Sequence, residues 1–330
     1  VLLEMKNLRV TYPTLQGGAA AVDGVSLALE QGDYLGLVGE SGCGKSTIAK
    51  AILGILPPGA RSDGSIRLAG RELIGLGSAE LRRIRWRDVA LIPQNAMNGF
   101  DPVYTIEQQL DEAITAHAEL PTQARRERIA ELFTMVGLSV ERLKDYAHQF
   151  SGGMRQRAMI AMALALDPKL IIADEPTTGL DVIIQDQILE RVAEIHTSSG
   201  NAMLLITHDM AVVSENCDRI AVMYAGRIVE IGRADVFLSA VHPYTMGLCN
   251  AFPDAGRRDG ELISIPGTPP SLVSPPSGCR FRTRCPFATA LCTSEEPPLV
   301  AVAPGHLAAC HYADRAAQFR DQARDSATWR

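Results

Sequence analysis

Three groups of residues in this chain have the types and the spacing for chemistry. The first is Gly39-Glu40-Ser41-Gly42-Cys43-Gly44-Lys45-Ser46, followed by Thr47. Its glycines let the backbone curl so that successive N–H groups face inward, and a helix starting at its end adds partial positive charge; both favour a polyphosphate. Lys45 is placed to reach β- and γ-phosphates, and Ser46 to offer Mg²⁺ a hydroxyl. The second group is Asp174 and Glu175, which end the apolar run Leu170-Ile171-Ile172-Ala173. Adjacent acids at the end of a buried strand need something cationic or reactive beside them. Asp174 is then the partner of the Mg²⁺ shell, and Glu175 the group that polarises an attacking water. The third group is Cys279, Cys285, Cys292 and Cys310, spaced C-x5-C-x6-C-x17-C in a segment rich in Pro and Gly. A segment with so little apolar periodicity needs a staple to order it. Four thiolates suit a [4Fe–4S] cluster or a tetrahedral Zn²⁺.

These groups need elements to hold them. Leu35, Leu37 and Val38 read as the end of a buried strand before the phosphate loop, and residues 47–53 as the first turns of a helix after it. Upstream, residues 8–12 and 21–27 read as antiparallel strands separated by a turn at Gly17-Gly18. Tyr12 stands on the first, where its ring either stacks on an adenine or packs as a surface aromatic. Residues 64–68 read as another strand. The basic run Leu81-Arg82-Arg83-Ile84-Arg85-Trp86-Arg87 suits a short helix with one buried face better than a nucleic-acid patch. Residues 89–92 form a strand leading to Gln94. Residues 105–144 read as a helical insertion, with Ile129, Leu132, Phe133 and Val136 at three-to-four spacing. Ser151 is a natural N-cap for the helix opening at Gly152-Gly153. One more buried strand ends at His208, and residues 219–232 read as a hairpin turning at Ala225-Gly226-Arg227. The stretch after Tyr312 reads as a polar, frayed helix.

With 330 residues, 46% hydrophobic and 21% charged, the composition is that of a soluble globular protein with room for two or three domains. A formal net charge of −6 gives no support to a nucleic-acid-coating role. The longest apolar run, near residues 158–166, is too short to cross a bilayer. No basic region, apolar core and cleavage site open the sequence, so a cytoplasmic chain is expected. In a reducing cytosol the four clustered cysteines point to metal binding before disulfides.

In this order, from the phosphate loop to His208, the motifs resemble those of the ATP-binding subunit of an ABC transporter. The resemblance implies a role for each. Gln94 corresponds to the glutamine loop, which senses the γ-phosphate and Mg²⁺ near the contact with the membrane subunit. The stretch from Phe150 to Gln156 resembles the family signature, with Phe150 in place of leucine and Met154 in place of glutamine; Ser151, Gly152 and Gly153 stand as expected. In this family the signature caps ATP held by the partner's phosphate loop when two subunits close head to tail. Gly179-Leu180-Asp181 resembles the loop that links the two sites, His208 the switch histidine at the γ-phosphate, and Tyr12 the adenine-stacking aromatic.

The tail carries its own resemblance. His242-Pro243-Tyr244-Thr245 with Leu248, Ile265-Pro266-Gly267-Thr268-Pro269-Pro270, Gly278-Cys279-Arg280-Phe281 and Arg284-Cys285-Pro286 are similar to the C-terminal region of oligopeptide and dipeptide permease ATPases. Zinc ligands commonly come in pairs two to four residues apart, which are missing here, and some peptide-permease subunits carry [4Fe–4S]. The resemblance therefore favours [4Fe–4S], held by Cys279, Cys285, Cys292 and Cys310, with Zn²⁺ as the alternative.

The expectation is an α/β, ABC-type P-loop NTPase: residues 1–235 with a RecA-like core, an antiparallel β subdomain and a helical subdomain at about 95–160, then a small Cys-rich module over 236–330. ATP would be the substrate and Mg²⁺ its ion, held by Ser46, Gln94 and Asp174. The family role is to power import of oligopeptides or dipeptides from the cytoplasmic face of the membrane. Its partners would be a second ATPase subunit, in a heterodimer by analogy with related permeases, two transmembrane permease subunits and an extracytoplasmic binding protein. Related importers also carry oligosaccharides, opines or nickel chelates. A soluble ABC protein acting on DNA or the ribosome is the rival, opposed by the single cassette and the lack of a heptad run.

Overall fold

Short, wholly apolar runs make strands buried on both faces, as a parallel sheet covered by helices requires. The computed structural model of the chain describes residues 1–94, 99–234, 239–251 and 263–330. The boundary expected at 235/236 lies outside the described residues, as do residues 95–98 at the start of the helical insertion. The chain divides into two compact units. One holds residues 1–3, 28–34 and 67–206, the other residues 4–27, 35–66 and 207–330.

The second unit begins with β1 (Leu3–Thr14), β2 (Gly17–Leu29), β3 (Tyr34–Val38), α1 (Lys45–Leu53) and β4 (Arg61–Leu68), most of whose residues it owns. β2, β1 and β4 lie side by side. The turn expected at Gly17-Gly18 falls at Leu15-Gln16 instead. There Thr14 Oγ1 donates to the Gly17 carbonyl at 2.7 Å and closes the turn before the glycines are reached. Gly18 serves the strand: a Cβ there would come 2.8 Å from Thr11 Cγ2.

The first unit holds β5 (Arg71–Glu72), α2 (Ser78–Ile84), β6 (Val89–Ile92), α3 (Ile106–Thr115), α4 (Thr122–Met135), α5 (Gly152–Ala163), β7 (Leu170–Asp174), α6 (Val182–Ser199) and β8 (Ala202–Thr207). β6, β7 and β8 are parallel, with Val89 opposite Leu170 and Asp174 opposite Ile206. α2 buries Ile84 and exposes Arg82 and Arg83, as its apolar spacing predicts. Thr105 starts α3 through a capping box with Gln108. Ile129, Leu132, Phe133 and Val136 are all buried, so the insertion packs on the face its periodicity marks.

The second unit resumes with α7 (Met210–Asn216), β9 (Arg219–Tyr224), β10 (Arg227–Arg233), α8 (Pro243–Asn250), α9 (Ala290–Ser294), β11 (Val300–Ala303), β12 (His306–Ala308) and α10 (Ala316–Ala323). Its strands run in the order β11-β12-β10-β9-β3, with β3 and β9 parallel. β12 pairs with β10 through Glu230 opposite Ala308. The tail thus extends the sheet that leads into the phosphate loop. Buried Glu230 reinforces the join: its carboxylate accepts from the Val241 and His242 amides at 2.7 and 2.9 Å and pairs with His306 Nε2 at 2.7 Å. The stretch after Tyr312 is docked rather than frayed. Phe319 stacks on Phe287 with ring centroids 4.1 Å apart, Trp329 is buried, and Asn250 Nδ2 donates to the Ala323 carbonyl at 2.8 Å.

His242 caps α8, its Nδ1 accepting from the Tyr244 amide at 3.1 Å. Burial pushes this imidazole down to about 4, against the opposing pull of the Glu230 carboxylate. A histidine in the unfolded chain titrates near 6.5, so between these values the unfolded state binds more protons and stability falls as pH falls, by roughly 3 kcal/mol over the whole window. Urea midpoints should therefore drop between pH 7 and pH 4.5. His242→Asn, which keeps a capping acceptor, should lose most of that slope; an unchanged slope would assign it to other groups.

Candidate functional site

The phosphate loop follows β3 in the second unit and is wedged between two strand edges. At Gly39, with φ 153°, a Cβ would overlap the Met223 carbonyl oxygen of β9. At Gly44, with φ 113°, one would overlap the Ala21 carbonyl oxygen of β2. Gly44 is the N-cap of α1, which has no side-chain cap and no acid in its first turn. That terminus suits an anionic ligand. Lys45 is buried, and its Nζ donates to the Gly39 carbonyl at 2.6 Å and the Glu40 carbonyl at 3.1 Å. Tyr12 lies beside the loop helix, its hydroxyl donating to Thr47 Oγ1 at 3.2 Å. Cys43 is buried, and burial pushes its thiol up. The structure therefore brings together Tyr12, Gly39, Ser41, Gly42, Cys43, Gly44, Lys45, Ser46 and Thr47. In the same unit His208 is exposed just before α7. Its neighbour Asp209 fixes the chain there, capping α7 through the Ala211 amide at 2.8 Å.

In the first unit, Asp174 is buried at the end of β7. Glu175 takes φ 46°, a left-handed conformation costing an L residue about 1–3 kcal/mol. Its amide donates to the Ile206 carbonyl at 2.8 Å, and its Oε2 accepts from Gln94 Nε2 and from Thr178 Oγ1, each at 2.9 Å. A strained backbone and two donors thus aim the carboxylate. Thr178 escaped the sequence reading because a threonine three residues after an acid is no signal by itself. Ser151 caps α5 through the Met154 amide at 3.3 Å, and a Cβ on Gly153 would come 2.7 Å from Ile184 Cγ2 of α6. Asp181 caps α6 through the Ile184 amide at 3.1 Å.

Cys279, Cys285, Cys292 and Cys310 all border one small cavity of about 20 Å³, walled by Phe281, Phe287, Phe319 and Tyr312. All four are free thiols. Burial pushes Cys285 up to about 12 and Cys310 up to about 11. Among the described residues no three His, Cys, Asp or Glu side chains converge closely enough to form a ready site for a metal ion. His311 is engaged elsewhere, its Nε2 3.0 Å from the Glu295 carbonyl oxygen.

Comparison with known proteins adds to this geometry. A family described as ABC transporter matches residues 22–178, and one described as oligopeptide/dipeptide transporter, C-terminal region, matches residues 229–292. The dipeptide transport ATP-binding protein DppD of Bacillus subtilis is 44% identical over 322 residues, 96% of each chain. The chain belongs to the ATP-binding subunits of the oligopeptide/dipeptide ABC transporter family. The oligopeptide transport ATP-binding protein OppD of Salmonella typhimurium is 44% identical over 94% of this chain and 93% of its own. Among solved structures, the dimeric ATP-binding cassette MJ0796 bound to ADP and Pi matches with a TM-score of 0.63 at 26% identity, covering 70% of this chain and 98% of the cassette. This ABC ATPase has the P-loop fold and mixed α/β sheets of its family. Among its described residues no helix is long and apolar enough to cross a membrane.

Proposed function

We propose that this ABC ATPase hydrolyses ATP to drive uptake of oligopeptides or dipeptides through membrane partners. The observation that carries the hydrolytic reading is Glu175, strained at φ 46° with its carboxylate set by Gln94 and Thr178. An L residue is kept in that conformation at the end of a sheet strand where the carboxylate has work to do. In this reading Glu175 orients and deprotonates the attacking water. Gly39, Ser41, Gly42, Cys43, Gly44 and Thr47 shape the cradle, Lys45 neutralises the β- and γ-phosphates, Tyr12 stacks on the adenine and His208 contacts the γ-phosphate. Ser46, Gln94 and Asp174 would hold Mg²⁺, whose charge offsets that of the phosphate oxygens. Ser151, Gly152 and Gly153 present an amide-rich helix start to the ATP of a partner subunit, and Asp181 links the two sites. The capping role of Ser151 leaves its second lone pair for that contact.

The partners in this reading are a second ATPase subunit of a different chain, two transmembrane permease subunits and an extracytoplasmic binding protein. The ATPase would sit peripherally on the cytoplasmic face, with residues 1–235 as its nucleotide-binding domain, 95–160 as the helical subdomain and 236–330 as the C-terminal module. Calorimetry of MgATP on the full chain, then ATP turnover of the complex with and without peptide-loaded receptor, tests the reading. MgATP binding and peptide-stimulated turnover are expected; no MgATP uptake by folded protein would end it.

The four-thiol cavity is read as the seat of a structural [4Fe–4S] cluster. The soft, all-thiolate donor set is what supports this reading; the four side chains do not converge into a ready site in this structure, and a bound cluster would have to draw them together, crosslinking the tail. Anaerobic reconstitution is expected to load about four irons per chain with a broad visible absorption band. Changing all four cysteines to serine should abolish the band and lower the melting temperature. One zinc per chain without iron would favour the alternative metal.

A further inference from the structure

The phosphate loop contains one acidic side chain, Glu40, and the tail holds it at more than one atom. The Glu40 amide donates to the Tyr244 hydroxyl oxygen at 2.9 Å. Its carboxylate accepts from both terminal nitrogens of Arg284, Nη1 to Oε2 at 2.6 Å and Nη2 to Oε1 at 2.8 Å. Its carbonyl accepts from Lys45. Glu40 is thus pinned at amide, carbonyl and carboxylate.

Both tail residues are themselves immobilised. The Arg284 side chain is 4% exposed. Its Nε donates to the Pro266 carbonyl at 2.8 Å, Nη1 donates to the Tyr224 hydroxyl at 3.3 Å, and the guanidinium lies 5.8 Å from the centre of the Tyr224 ring. Tyr244 is fully buried, packed on Tyr224 and Phe281 with ring centroids 4.6 and 5.3 Å away. The stretch Ile265-Pro266-Gly267, to which a nucleotide-binding core assigns no task, therefore holds Arg284, and Arg284 in turn reaches the phosphate loop at Glu40.

We infer that Arg284 and Tyr244 are positioning residues for ATP, acting through Glu40 to hold the phosphate loop in its binding shape. A glycine-rich loop has much backbone freedom, and fixing it only when ligand arrives costs affinity. A two-point Arg–carboxylate pair fixes direction as well as distance, which a single contact cannot. The proposal rests on the reading that this loop binds MgATP.

Calorimetry of MgATP with the full-length chain and steady-state kinetics of the transporter complex test it. If loosening leaves about a tenth of the loops competent, Arg284→Gln raises the MgATP Kd and the KM for ATP about tenfold, while kcat at saturating ATP stays within about twofold. Glu40→Gln and Tyr244→Phe should shift Kd in the same direction. Glu40→Gln combined with Arg284→Gln should cost no more than the worse single change, and Arg284→Lys should recover part of the loss. A folded Arg284→Gln with unchanged Kd overturns the inference, as does a lower Tm with KM unmoved. Should Arg284→Gln not fold, Glu40→Gln decides by the same criterion. Failure of the wild type to bind MgATP would instead remove the ATPase reading itself.

Discussion

Glu175→Gln is expected to lower ATP turnover by about 10²- to 10⁴-fold, the range associated with a lost general base, while MgATP still binds. The substitution keeps size and shape. Its side-chain oxygen can still accept from Gln94 and Thr178, which hold the present carboxylate at 2.9 Å each, and the amide bond to the Ile206 carbonyl is untouched. What is lost is the negative charge that takes the proton from water. Binding and hydrolysis should therefore separate, leaving a nucleotide-filled complex that turns over slowly. Filter binding of labelled ATP together with single-turnover hydrolysis reads both quantities. Undiminished turnover would take Glu175 out of its assigned role. Glu175→Gly provides a contrast: glycine adopts φ 46° without strain, so this variant should be inactive yet lose little stability.

The parts of the site legible in the sequence were those whose chemistry is local. Gly39 to Ser46 needs no distant partner to be recognised, because the glycine spacing and the lysine define a loop geometry on their own. Asp174 and Glu175 were legible because an apolar run ending in two acids breaks the ordinary pattern of a buried strand. The helix start at Ser151 followed from side-chain capping, again a local effect. Long-range contacts were not legible. Glu40 and Arg284 stand 244 positions apart, and nothing in either neighbourhood marks the other as a partner. The docking of Phe319 on Phe287 escaped for the same reason: α10 is polar by composition, and its few apolar residues reveal their use only once a surface is available. The early turn at Leu15-Gln16 shows a narrower limit, since Gly17-Gly18 satisfies the local rule for a turn while the strand beside it needs Gly18 for clearance. The four cysteines lay between these cases. Their clustering in sequence was visible, whereas the shared cavity depends on β12 joining β10.

Gly44→Ala should weaken MgATP binding by about ten- to a hundredfold, and the reason lies in the wedge around the loop. At φ 113° an alanine is strained, a cost of about 1–3 kcal/mol, and each 1.4 kcal/mol spent on keeping the loop competent is about tenfold in affinity. The added Cβ would also run into the Ala21 carbonyl oxygen and sit 2.7 Å from Met223 Cε. Backbone cannot yield there as a flexible side chain could, so the loop must move, and with it the start of α1 that carries Lys45. Gly42→Ala separates strain from collision. At φ 79° it carries a comparable backbone penalty, but nothing lies within 4 Å of its Cβ. Its loss of affinity should be several-fold smaller than that of Gly44→Ala, measured by calorimetry on proteins whose melting curves confirm folding. Equal losses at the two positions would mean that conformational strain alone governs the loop and that its contact with β2 contributes nothing to ATP affinity.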